Sequence, residues 1–350
     1  MKEDFFKGRG AQGNTSNPYL KQEYVTEHFE GLDEALYVSP TTTVFKENPK
    51  NIVNKVTSPD VRLMFSVNPY QGCEHGCIYC YARNSHQYWG FSAGLDFESK
   101  IIIKENAAQL LEQKFLSNSW VPYPIMLSGN TDCYQPVEKS LKITRSLLKI
   151  FLKYGNPVSI ITKNSLIARD LDILKDLASE DLVHVNFSIT TLDEKLRRVL
   201  EPRTATAQNK LKTIEKLSQA GIPTFIMNAP LIPGLNTEEI PNVIKNAAAA
   251  GAISAGYTMV RLNGNIKHLF YDWLYKNFPD RADKVWNQIS EVHGGKVNDS
   301  QWGRRMKGEG AIADTIYQIF SASKKKYMGD KERPELNLSR FRRNGTLNLF

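Results

Sequence analysis

The stretch from Asn68 to Arg83, NPYQGCEHGCIYCYAR, constrains this chain more than any other part of it. It holds three of the chain's four cysteines, Cys73, Cys77 and Cys80, in the spacing C-x3-C-x2-C. Thiolates this close together can cover one face of a metal centre without help from distant chain. Gly72 and Gly76 permit the sharp turns that aim them inward. A structural zinc site takes four tetrahedral protein ligands, and a fully protein-ligated [4Fe–4S] cluster takes four cysteines. Three cysteines suit a cubane cluster with one iron left open to a small molecule. The competing reading of the same residues is a zinc knuckle completed by His75 or His86.

The 350 residues are enough for one large domain or two smaller ones. From Arg62 onward, strand-like and helix-like segments alternate, which is the pattern of a parallel βα sheet. Strands are expected at 63–67, 124–128, 157–162, 183–189, 224–229 and 256–262, with the cysteine loop directly after the first. The run at 157–162 is almost wholly apolar, as for a strand buried on both faces. Helices are expected at 105–116, from Pro136 through Leu141, Leu147, Leu148, Phe151 and Leu152, after Asn164 or Ser165, after the Thr206 cap, and at 237–250. Gly221 closes the Thr206 helix. This divides the chain into an N-terminal extension (1–61), a βα body (62–264) and a mostly helical C-terminal region (265–350). In the last region Trp273, Phe278, Trp286 and Trp302 read as packing anchors.

The cysteine usage is that of a reducing cytosol, not of a disulfide framework. No apolar run approaches the roughly 20 residues that span a bilayer, and the first residues carry no apolar leader. The expectation is a cytoplasmic protein. Of the net charge of +8, residues 301–350 contribute +6, with Arg340, Arg342 and Arg343 among the last eleven residues. A basic end on a near-neutral body is what a polyanionic partner would meet, or simply a solubilising surface.

The cysteine spacing, Tyr79 before the last cysteine, Asn68-Pro69-Tyr70, Tyr81-Ala82-Arg83 and the later Thr131-Asp132-Cys133-Tyr134-Gln135-Pro136 resemble the radical S-adenosylmethionine (SAM) superfamily. Within it they resemble an uncharacterised branch grouped with DNA-repair photolyases and related to spore photoproduct lyase. The resemblance covers the middle of the chain, with weaker echoes at both ends. It implies a partial (β/α)6 barrel, whose catalytic groups gather at the C-terminal ends of the strands. Cys73, Cys77 and Cys80 would bind a [4Fe–4S] cluster, and SAM would occupy its open iron.

The same resemblance implies roles at each strand end. Tyr79 would lie near the adenine. The turn with Gly129, Asn130 and Asp132 would hold the SAM amino group, with Asp132 alternatively capping the helix that follows. Lys163 would contact the SAM carboxylate, since a lysine at a buried barrel mouth needs an anionic partner. Ser188 and Thr190 would offer hydroxyls to the ribose or carboxylate, and Ile232 would pack the adenine. Arg203 and Arg261 are candidates for an anionic substrate, Arg203 alternatively pairing with Glu201. Cys133 is a candidate hydrogen-atom donor, against the plainer reading of a small packing residue. The Lys7-Gly8-Arg9-Gly10-Ala11 run also echoes this branch; its composition reads as a solvated tail, with a role over the active site as the alternative.

The implied activity is reductive cleavage of SAM to a 5′-deoxyadenosyl radical, with electrons from a ferredoxin or flavodoxin. DNA or RNA is the leading expected substrate, in photoproduct lyase-like repair or modification. A protein, peptide or small metabolite is the alternative. A non-enzymatic, metal-stabilised nucleic-acid-binding module is the reading from a different class.

Overall fold

The computed structural model describes residues 6–20, 41–60 and 64–344. Leu63, Met1 to Asp4 and the last six residues, on which some of the expectations fall, lie outside that set. The strands are β1 (Thr43–Lys46), β2 (Val53–Lys55), β3 (Phe65–Val67), β4 (Tyr70–Gln71), β5 (Lys100–Ile103), β6 (Ile125–Leu127), β7 (Val158–Thr162), β8 (Val183–Ser188), β9 (Thr224–Leu231) and β10 (Ser254–Met259).

The main sheet has the order β10-β9-β8-β7-β6-β3-β2. Its first six members are parallel, and β2 adds antiparallel at the β3 edge. Those six parallel strands are the six expected from the hydrophobic runs, and they form the open (β/α)6 barrel. Every residue of β8 is buried, as both faces of a parallel strand must be when helices cover the outside. β2 and a separate small sheet, β1-β5-β4, were not expected. Their strands have two to four residues, too short to display a period of two.

The covering helices follow from their apolar stripes. In Ile143–Tyr154, Leu147, Leu148, Phe151 and Tyr154 face inward, each contributing about 1.5–3 kcal/mol by leaving water. The Thr206 hydroxyl accepts from Asn209 N at 3.2 Å and starts Ala207–Gln219, and Gly221 follows its end at φ 78°. The helix expected to run on from Pro136 is instead two, Glu138–Leu141 and Ile143–Tyr154, broken where Lys142 adopts φ 56°.

The C-terminal region is helical at Ile266–Asn277, Ala282–Glu291 and Gly310–Met328. Trp273 is buried there, whereas Trp302 is 52% exposed beneath the Arg305 guanidinium and anchors no core. The basic end is fastened to the protein. Arg343 donates to the carbonyls of Phe115, Ser117 and Trp120, and Arg342 to those of Leu152 and Lys153 and to Glu180. These carbonyls lie at the ends of the helices that lead into β6 and β7 and in the loop before β6, so the two arginines sit at the base of the barrel, opposite the strand ends that carry the cysteines. The N-terminal run also differs from the solvated tail expected of it: Arg9 and Ala11 are buried. Among the described residues, no helix is long and apolar enough to cross a membrane.

Candidate functional site

The C-terminal ends of the six parallel strands open on one cavity of about 1060 Å³. Cys73, Cys77 and Cys80 line it, along with Tyr79, Tyr81, Gly129, Asn130, Asp132, Lys163, Ser188, Pro230 and Arg261. Gly72 and Gly76 take φ of 78° and 68°, the left-handed turns that the loop needs. Cβ atoms there would meet Lys100 O and a Glu98 carboxylate oxygen, each at 2.8 Å, so the loop is closely packed on its outer side.

The three cysteines are free thiols. Burial lifts all three above the ordinary thiol range, and Asp132 adds to this at Cys73 and Glu201 at Cys77. Such groups ionise when a metal supplies the compensating charge. Among the described residues, no three His, Cys, Asp or Glu side chains gather closely enough to hold a single ion. Neither histidine of the zinc reading completes such a site. His75 faces Asp132 and Asn164, and His86 packs between Phe91 and Phe97. The donor set fits three corners of a [4Fe–4S] cluster.

Residues 67–247 match the sequence pattern of the radical SAM superfamily. The chain belongs to the radical SAM superfamily. It is therefore an enzyme, and the non-enzymatic module is set aside. Its cofactors are a [4Fe–4S] cluster and SAM. An uncharacterised protein of Mycobacterium tuberculosis is 32% identical over 238 residues, 67% of this chain and 70% of that one. An uncharacterised protein of Methanocaldococcus jannaschii is 27% identical over 248 residues, 71% of this chain and 88% of that one. A radical SAM Nα-GlyT isomerase of Pseudomonas phage M6 is 24% identical over 230 residues, 65% of this chain and 46% of its own length. Among solved structures, spore photoproduct lyase complexed with dinucleoside spore photoproduct has a TM-score of 0.59 at 13% identity, covering 82% of this chain and 80% of its own. The fold is that of this radical SAM enzyme.

Several of the expected SAM contacts reach the cavity already engaged. Lys163 Nζ lies 2.7 Å from Ser188 Oγ, 3.1 Å from Thr190 Oγ1 and 2.8 Å from Glu201 Oε1. An ammonium has three protons, so contact with a ligand carboxylate requires Lys163 to release one hydroxyl. Asp132 accepts from Tyr134 N, Lys163 N and Thr162 Oγ1 and faces His75. It ties the ends of β6 and β7 together more than it caps one helix. Asn130 donates to Gln71 and Ser85, and the Gly129 carbonyl accepts from Tyr81.

Three expected site residues do not face the cavity. Thr190 is fully buried behind the wall, bonded to Glu201 and to the Ala229 carbonyl. Ile232 lies in an apolar core with Cys77, Ile78 and Tyr79, and Pro230 of the same turn reaches the cavity instead. Cys133 is fully buried in the main core, the position of the packing residue that was its plainer reading. Arg203 faces Glu74 at 3.6 Å instead of Glu201.

What sequence reasoning missed is the group behind the wall. Glu201, wholly buried, receives Lys163, Thr190 and the Tyr79 hydroxyl on one oxygen, with Lys210 Nζ 3.5 Å from the other. Burial alone would raise its pKa, but the Lys163 and Lys210 ammoniums overcome this and hold it well below the usual carboxylate range. Lys210 lies in the first turn of Ala207–Gln219 on the same buried stripe as Ala207, Ile214 and Leu217, so the period places it inward and only the fold reveals that Glu201 is its partner.

Proposed function

We propose that this radical SAM enzyme acts on nucleic acid, in lyase-like repair or modification. The observation that carries the reading is Arg261. Arg261 lines the cavity that holds the cysteines, half-buried just beyond the end of β10. No acceptor of the described residues bonds it. Burial lowers its pKa, with Arg305 adding to the effect, and the nearby Asp60 and Asp299 carboxylates offset this only in part. Leaving a cation in such a place costs free energy unless a ligand supplies the counter-charge, and a phosphodiester does so. The likeness in fold to a lyase complexed with a dinucleoside photoproduct supports the same substrate class. The fastened Arg342 and Arg343 lend it nothing.

When bound, the cluster and SAM supply a 5′-deoxyadenosyl radical. The chain's own part is to position and to exclude. Tyr79 and Lys163, both braced by Glu201, form a fixed wall, and the cavity beyond them admits the substrate and keeps bulk water from the reacting atoms. A low-potential ferredoxin or flavodoxin is the proposed electron source.

The test is anaerobic turnover with SAM, a reductant and ultraviolet-irradiated or intact DNA and RNA oligonucleotides, reading 5′-deoxyadenosine. A nucleic acid is expected to raise its formation and yield an altered strand, and Arg261→Ala to weaken oligonucleotide binding by roughly tenfold, the worth of one charge-assisted contact. No stimulation by any nucleic acid, with turnover on a peptide or metabolite instead, overturns the reading.

A further inference from the structure

The cysteine loop owes its shape to a layer of charged groups on the side facing away from the cavity. Arg83, completely buried, spends all five of its N–H donors there. Nε donates to Cys77 O at 2.9 Å, Nη1 to Ala93 O and Gly94 O, and Nη2 to Gly76 O and to Glu98 Oε1 at 2.5 Å. Two of those acceptors are the carbonyls on either side of the Gly76–Cys77 link. Glu98, also completely buried, is Arg83's counter-charge.

The N-terminal segment completes this layer. Gly10 N and Ala11 N donate to the two Glu98 carboxylate oxygens at 3.0 and 2.8 Å, and Arg9 Nη1 donates to the Glu98 carbonyl at 2.7 Å. Ala11 shares an apolar core with Cys77, Ile78 and Tyr79. Gly10 lies so close to the loop that an added Cβ would stand 1.8 Å from Gly76 O. The contact is backbone on backbone, and no side-chain rotation relieves it. A glycine here is required by space.

We propose that Arg9, Gly10 and Ala11 form a positioning clamp for the cluster loop, acting through Glu98 and Arg83 to hold the Gly76–Cys77 backbone, and so the Cys77 thiol, ready for iron. The inference rests on Cys77 being a cluster ligand. Outer partners of metal ligands commonly alter metal affinity 10–100-fold, and this clamp reaches its ligand through a continuous set of hydrogen bonds.

Gly13, in the same segment, provides the control: a Cβ there meets nothing within 4 Å. The full-length protein, anaerobically reconstituted, is compared as wild type, Gly10→Ala and Gly13→Ala. The readouts are iron per chain, the rate of iron loss to a chelator, the paramagnetic resonance of the reduced cluster, and the melting temperature of the apo-protein. Gly10→Ala is expected to lose iron about tenfold faster with an altered resonance, while Gly13→Ala matches wild type in both. Gly10→Ala retaining iron and spectrum as Gly13→Ala does overturns the clamp. If Gly10→Ala melts early, Arg9→Met decides, since it removes the bond to Glu98 without adding bulk. Faster iron loss in that variant supports the clamp, and wild-type retention overturns it. Full iron binding by Cys77→Ala would instead overturn the ligand reading beneath it.

Discussion

At neutral pH Glu201 is ionised between Lys163 and Lys210, and the cost of removing it depends on pH. Its folded-state pKa is depressed, so its stabilisation is fully present above the unfolded value near pH 4.3 and is lost as pH falls below that towards the folded value. Glu201→Gln is expected to destabilise the protein by about 3 kcal/mol at pH 7, because two buried ammoniums lose their counter-charge. It is also expected to flatten the decline in melting temperature between pH 5 and about pH 3. Thermal melts across that range check both, and a variant that melts like wild type at pH 7 removes Glu201 as the brace of the wall. Sequence alone marked Lys163 as cationic and in need of an anion. The partner chosen, Glu201, lies 38 residues later.

Among the elements, the C-terminal tail is where composition and structure part most clearly. Its arginines look like phosphate contacts in sequence, but Arg343 satisfies carbonyls left over at the end of Ala107–Leu116 and in the loop that follows. Arg342 does the same at the end of Ile143–Tyr154 and pairs with Glu180. Changing both to alanine is therefore expected to lower stability by roughly 2–4 kcal/mol, the scale of a few charge-assisted hydrogen bonds. It should leave the salt dependence of oligonucleotide binding unchanged, since no phosphate contact is removed. Denaturant melts and a salt titration separate these effects, and a flattened salt slope would return the tail to the nucleic-acid surface.

For the molecule as a whole, the open side of the barrel is bridged by residues 58–60 and 303–306. Asp60, just after the β2 edge strand, accepts from Arg305 Nε at 2.5 Å and Gly303 N at 2.7 Å, and Arg305 also reaches Ser58. The neighbouring Met306 carbonyl bonds Met259 N on β10, the opposite edge. This clasp spans the one gap in the strand order, beside the cavity. We expect Asp60→Asn to speed amide hydrogen exchange in residues 301–308 several-fold with little change in overall melting, because local opening draws on few buried contacts. Unchanged exchange there would mean that the backbone pairing at Met259 holds the side closed without the ion pair.

The thiolates, the six parallel strands and the glycines of the cluster loop were legible in the sequence because each is a local signal: a spacing, a period, a turn. So were Lys163 and Arg261, since a charge at the end of an apolar strand is conspicuous. Long-range pairing left no such trace. Glu98 reads as an ordinary acidic residue until Gly10 and Ala11, 88 and 87 residues away, close on it. Cys133 and Ile232 stand next to the site in sequence, but their side chains turn into the core, an orientation set by how helices and turns pack after each strand. Nearest-neighbour chemistry determined which fold and which cofactors this chain adopts. The tertiary structure decided which charges face the cavity and which are consumed in building it, because buried charges are settled by partners that only folding brings together.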